Sequence, residues 1–182
     1  DEIDRVFGEA GNDTLYGGAD SDILYGNLDT DQLYGDDGDD VLYGGQGIDY
    51  VRGSFGNDVL YGNRDNDTVF GGDGADTLYG GQGDDWLSGG DGSNVLFGGD
   101  GVDTADYSGF NFSIVAGIES GTVLFGAETD TILSIENIVT GSGGDYLTGS
   151  APNNRLDGGA GNDTIDGLGN PDLLIGGSGN DS

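Results

Sequence analysis

Gly71-Gly72-Asp73-Gly74-Ala75-Asp76-Thr77-Leu78-Tyr79 is followed at once by Gly80-Gly81-Gln82-Gly83-Asp84-Asp85-Trp86-Leu87-Ser88. Both nonapeptides open on glycine, carry aspartate at position six and leucine at position eight. The period extends outward without a slip, through Gly8, Gly17, Gly26, Gly35, Gly44, Gly53, Gly62, Gly71, Gly80, Gly89 and Gly98. Position six is Asp13, Asp22, Asp31, Asp40, Asp49, Asp58, Asp67, Asp76, Asp85, Asn94 and Asp103. Position eight is always apolar, from Leu15 to Ala105. A fixed period of this kind marks a stack of one small unit, because a single unit cannot bury its own apolar face.

Within a unit the first six residues read as a turn, since glycine supplies backbone angles closed to other residues. The last three read as a short strand with alternating faces. Leu78 points one way, and Thr77 and Tyr79 point the other. Stacking places the apolar residues in one continuous internal ladder.

Composition says what else the stack needs. The chain has 182 residues, 41 of them glycine, and 35 acids stand against 4 bases for a net charge of −31. Such a chain repels itself and requires a cationic partner to fold. So few bases exclude a nucleic-acid footprint and argue against direct binding to an anionic membrane. With no cysteine or histidine, disulfides and imidazole or thiolate metal sites are absent, which leaves hard, oxygen-seeking cations. No apolar run reaches transmembrane length and no signal peptide is visible. Asp4, Val6 and Phe7 are in phase with the first full unit, and Gly176 to Asp181 begin another, so the expectation is a fragment of a longer array.

The pattern resembles the RTX (repeats-in-toxin, haemolysin-type) calcium-binding repeat, G-G-x-G-x-D-x-U-x with U apolar. The likeness covers nearly the whole chain except 107–140. It implies an all-β fold, a right-handed parallel β-roll or β-solenoid whose 18-residue coils hold two units each. It also implies multiple Ca²⁺ ions as cofactor, roughly one per repeat. The metal-ligand candidates are then Asp4, Asp13, Asp22, Asp31, Asp40, Asp49, Asp58, Asp67, Asp76, Asp85, Asn94, Asp103, Asp145, Asp163, Asp172 and Asp181. The chemistry agrees: stacked turns offer carbonyls and a carboxylate, and calcium takes six to eight oxygens in flexible geometry. About a dozen ions would bring roughly 24 positive charges, so ion binding and folding are expected to be coupled. Turn formation alone would also account for aspartate, but unneutralised carboxylates stacked along an edge would repel. Asn94 removes one charge and is expected to give a weaker site or to use its amide oxygen. Asp20, Asp29 and Asp65 replace the position-four glycine, where aspartate tolerates left-handed geometry; added ligand and plain turn residue both remain open for them.

Alternate units give two outer faces. One carries Ile23, Tyr25, Val41, Tyr43, Val59, Tyr61, Thr77, Tyr79, Val95 and Phe97, apolar but for one threonine. The other, from Thr14/Tyr16 to Thr104/Asp106, is mixed. A flat apolar strip of roughly several hundred Å² usually meets a partner, so self-association or a neighbouring domain is expected there. The competing explanation is that aromatic and β-branched residues simply suit exposed strands.

Three segments follow: an array over 1–106, a strand-rich insertion over 107–140 and a short second array over 141–182. The insertion is expected to continue the roll in broader coils without calcium. No catalytic constellation stands out, and enzyme activity is not expected. Carboxylate pairs can be picked anywhere among the acids, and the glycine-rich stretches lack the lysine and helix of a phosphate loop. Position five is too irregular for an ice-binding template. The resulting expectation is a structural segment of a large secreted or cell-surface protein: a fibre, surface layer or adhesin. The alternatives are the secretion and folding module of an extracellular enzyme or toxin, and, more weakly, carbohydrate binding through the aromatic face.

Overall fold

A computed structural model describes residues 3–182; the first two residues of the 1–106 array lie outside them. Eleven strands of six residues come first: β1 (Arg5–Ala10), β2 (Thr14–Ala19), β3 (Ile23–Leu28), β4 (Gln32–Asp37), β5 (Val41–Gln46), β6 (Tyr50–Phe55), β7 (Val59–Arg64), β8 (Thr68–Asp73), β9 (Thr77–Gln82), β10 (Trp86–Asp91) and β11 (Val95–Asp100). Then come β12 (Thr104–Tyr107), β13 (Ile114–Gly117), β14 (Thr122–Phe125), β15 (Glu128–Leu133), β16 (Asn137–Thr140), β17 (Tyr146–Thr148), β18 (Arg155–Asp157), β19 (Thr164–Asp166) and β20 (Leu173–Ile175). The chain alternates between two sheets. The first runs β1-β3-β5-β7-β9-β11-β15-β14-β13-β17-β19 and the second β2-β4-β6-β8-β10-β12-β16-β18-β20. Pairing is parallel through the repeats, so the fold is a parallel β-roll.

The strands are twice the expected length, because the second and third residues of the next unit also pair. In the β9–β11 register Thr77, Leu78 and Tyr79 meet Val95, Leu96 and Phe97, and Gly81 and Gln82 meet Gly99 and Asp100. Gly80 and Gly98 are skipped.

Inward positions alternate along the chain as aspartate, leucine, glycine. Leu24, Leu33, Leu42, Leu60, Leu78, Leu87 and Leu96 are fully buried, and Asp31 and Asp103 are as deeply buried as they are. Turns need glycine where coils nearly touch: at Gly74 φ is +145° and a Cβ would meet the Gly56 carbonyl. Asp20, Asp29 and Asp65 adopt the left-handed angles expected, with φ of 75°, 73° and 71°. Asp29 and Asp65 place a carboxylate oxygen on the Gly11 and Gly47 N–H groups one coil below, as turn residues.

The insertion departs from the expectation of broader coils. The second sheet passes through it unbroken, β12 pairing in parallel with β16. The first sheet takes in an antiparallel meander, β13 against β14 and β14 against β15. The physical reason is composition: without the glycine-rich turns, Ser120-Gly121 and Gly126-Ala127 close hairpins instead. Tyr107, Ile114, Ala116, Val123, Phe125, Ile132, Ile135 and Ile138 are buried there. A repeat buries one apolar residue in nine, so this segment has a richer core of its own.

Candidate metal centre

Each turn aspartate faces inward and uses its two oxygens differently. Oδ1 accepts the backbone N–H of the aspartate one coil earlier: Asp49 N–H donates to Asp67 Oδ1 at 2.8 Å and Asp67 N–H to Asp85 Oδ1 at 2.8 Å. Such bonds run along both edges of the roll. One edge carries Asp13, Asp31, Asp49, Asp67, Asp85 and Asp103; the other carries Asp4, Asp22, Asp40, Asp58, Asp76 and Asn94.

Oδ2 has no donor. Among the described residues it is buried and without a hydrogen-bond partner in Asp13, Asp22, Asp31, Asp40, Asp49, Asp58, Asp67, Asp76, Asp85, Asp103, Asp145 and Asp163. Buried polar atoms are almost always paired, so a periodic row of orphans calls for a missing partner. What surrounds these atoms identifies its charge. A Cβ added to Gly26 would lie 2.5 Å from Asp31 Oδ2 and 2.5 Å from the Gly44 carbonyl oxygen. The same cradle recurs at Gly17 with Asp22 and Gly35, at Gly44 with Asp49 and Gly62, and at Gly80 with Asp85 and Gly98. Two acceptors converge on a space that only the absence of a side chain leaves open. A cation resolves that arrangement, and oxygen-only donors select calcium over softer metals.

The electrostatics point the same way. Burial first, and neighbouring aspartates second, push Asp67 up to about 8, Asp58 and Asp103 to about 7, and Asp49 and Asp76 to about 6. Taken alone the fold disfavours ionised carboxylates, and a bound divalent ion reverses the preference. Among the described residues no group of three or more acid, histidine or cysteine side chains could hold a metal. The cradle instead sets one carboxylate oxygen beside a main-chain carbonyl, so backbone geometry supplies the second oxygen.

A family model described as the RTX calcium-binding nonapeptide repeat matches residues 1–33, 24–51, 34–69, 70–105 and 139–172. The chain belongs to the RTX calcium-binding repeat family. Repeats of this family bind calcium and are characteristic of secreted proteins. No curated protein matches the chain. No helix of the described residues is long and apolar enough to cross a membrane.

Within this RTX roll the sixteen sequence candidates fall into three groups. Twelve carry the orphaned Oδ2. Asp4, Asp172 and Asp181 sit at the ends of the ladders and are not buried; Asp172 and Asp181 still receive the N–H groups of Asn154 and Asp163. Asn94 is different. Its amide oxygen accepts the Asp76 N–H at 2.9 Å, so the expected use of that oxygen on a metal is not what the geometry gives. Its Nδ2 occupies the cradle of Gly89 instead.

Two residues were missed. Asp130 takes the place of a turn aspartate beside Asn94, receiving the Asn94 N–H at 2.7 Å. Glu136 does the same beside Asp103, at 2.9 Å. The signal was present: Asp130-Thr131-Ile132 and Glu136-Asn137-Ile138 keep the acid-x-apolar triplet after the glycines are lost. Asn154 also holds a turn place, but its Nδ2 donates to the Glu136 carbonyl and its Oδ1 accepts the Ser150 N–H.

Proposed function

We propose that the chain is a calcium-locked structural segment of a large secreted or cell-surface protein, a rigid spacer that acquires its shape on meeting calcium outside the cell. The orphaned Oδ2 row carries this reading: twelve buried carboxylate oxygens without a donor, ten of them, from Asp13 to Asp85 and at Asp103, beside a main-chain carbonyl. At about one ion per such oxygen, calcium offsets roughly 24 of the 31 excess negative charges and becomes part of the folded core. In this reading the chain is not an enzyme, since its regularly placed carboxylates are committed to the ladders.

The outer aromatic row suits a spacer better than a glycan platform. Phe7, Tyr25, Tyr43, Tyr61, Tyr79 and Phe97 stack face to face, with centroids 4.8–5.0 Å apart and ring planes within 3–5°. Each ring covers its neighbour's face, so sugars would meet mainly ring edges. The stack adds a second, metal-independent spine along the roll.

Far-ultraviolet circular dichroism in calcium, magnesium and chelator tests the reading. Order is expected with calcium alone, because magnesium retains its waters and a strict octahedron. An unchanged spectrum in chelator would show that the ions are not structural.

A further inference from the structure

Two neighbouring turns on the Asp22–Asp76 edge depart from the orphaned-oxygen pattern, each in its own way. In the Asn94 turn the amide nitrogen stands where the other units place Oδ2, as the Asp76 N–H on Oδ1 requires. From there it faces the Gly90 and Gly92 carbonyl oxygens of its own turn, 3.4 Å from each. An amide N–H₂ is a double donor, so it supplies these carbonyls with what a cation would supply. One level on, Asp130 is fully buried and its Oδ1 is taken by the Asn94 N–H. Its Oδ2 is not an orphan: the Tyr107 hydroxyl donates to it at 2.8 Å. Tyr107 is itself only 1 % exposed and is held by Phe110 and Phe125, at ring-centroid distances of 6.1 and 5.8 Å. The hydroxyl is therefore fixed by packing, away from solvent.

The ladder also ends there. Past β15 the sheet turns antiparallel, and the row restarts only where the Ile114 N–H meets Asp145 Oδ1 and the Asp145 N–H meets Asp163 Oδ1.

We propose that the roll takes no calcium at the Asn94 and Asp130 turns, where the Asn94 amide and the Tyr107 hydroxyl stand in for the ion. The edge is thereby divided into two separate calcium ladders joined by a metal-free plug. A position that the repeat pattern reads as a calcium site, Asn94, thus becomes a junction between the repeats and the aromatic core of the insertion. The inference rests on the calcium reading of the orphaned aspartates.

The test uses the whole chain in calcium. Anomalous diffraction locates ions turn by turn, and native mass spectrometry counts them. Anomalous peaks are expected at Asp58, Asp76 and Asp145 and none at Asn94 or Asp130. Asn94→Asp is expected to gain one peak and one ion per chain, because it restores Oδ2 to the cradle. Tyr107→Phe removes only the hydroxyl and is expected to gain one at Asp130. A peak at either turn in the parent chain overturns the proposal. So does an unchanged ion count in a folded Asn94→Asp variant, which would show that the amide is not what excludes calcium. Absence of peaks at every turn would instead overturn the calcium reading itself.

Discussion

At the scale of one residue, the two oxygens of a turn aspartate differ: Oδ1 accepts a backbone N–H and Oδ2 is left without a donor. Asp67→Ala removes both oxygens. It leaves the Asp49 N–H without its acceptor, at about 1–3 kcal/mol for a buried donor, and deletes one of the proposed ion sites. A lower melting temperature and one ion fewer per chain are expected, by scanning calorimetry and native mass spectrometry. The opposing glycine is as telling. In Gly62→Ala the new methyl would occupy the space between Asp67 Oδ2 and the Gly80 carbonyl. The calcium midpoint should rise, whereas Gly109→Ala, with nothing within 4 Å of its Cβ, should leave it unchanged. Both midpoints are read from the circular dichroism signal against free calcium.

The same carboxyls set the response to pH. Folded values of about 6 for Asp49, 7 for Asp58 and 8 for Asp67 lie above the ~4 of an unfolded aspartate. A raised folded pKa contributes stability below the unfolded value and loses it as pH climbs through the folded one. The metal-free chain should therefore gain order as pH falls from 8 towards 4. With calcium present the direction reverses, since the ion requires the ionised form and protons compete for it. Circular dichroism across pH, with calcium and with chelator, distinguishes the two slopes; parallel slopes would contradict the account.

At the scale of the element, each six-residue strand of the repeats contributes one leucine or valine inward and at least one aromatic ring outward. Leu78→Ala deletes a fully buried side chain, at a cost of about 2–5 kcal/mol. Tyr61→Ser leaves the core intact but loses two ring contacts, to Tyr43 and Tyr79, both at 4.8 Å. At about 0.5–1.5 kcal/mol per pair, it should destabilise less than Leu78→Ala in calcium melts. The insertion obeys a different rule, with a richer apolar core than the repeats. In chelator its amides, such as Ala116 and Val123 across the β13–β14 hairpin, should exchange more slowly than those of β5 to β8. Hydrogen exchange read by mass spectrometry checks this.

At the scale of the whole molecule, the roll presents an aromatic spine on one sheet and a mixed face on the other. If the spine meets another copy or domain, Tyr43→Ser with Tyr61→Ser should reduce self-association while calcium still folds the chain. Sedimentation velocity over a range of concentrations reads this out, and identical behaviour in the parent and the double variant would remove the interface from consideration.

The sequence by itself determined the roll, its period, the aspartate place in each turn and the unlike faces. Each of these is a local consequence of a nine-residue pattern, repeated until stacking is the one way to bury leucine. Tertiary structure alone decided the rest. It lengthened the strands, because pairing extends wherever a neighbouring coil presents backbone groups. It turned the insertion into an antiparallel meander on one sheet while the other ran through. It placed Asp130 and Glu136 in the ladders from a stretch whose glycine signal was gone. It also set the Tyr107 hydroxyl on Asp130, a partnership between residues 23 positions apart that no period contains. A repeat fixes what recurs; where the period breaks, three-dimensional packing decides which carboxylate oxygen is left without a donor and which meets a protein hydrogen.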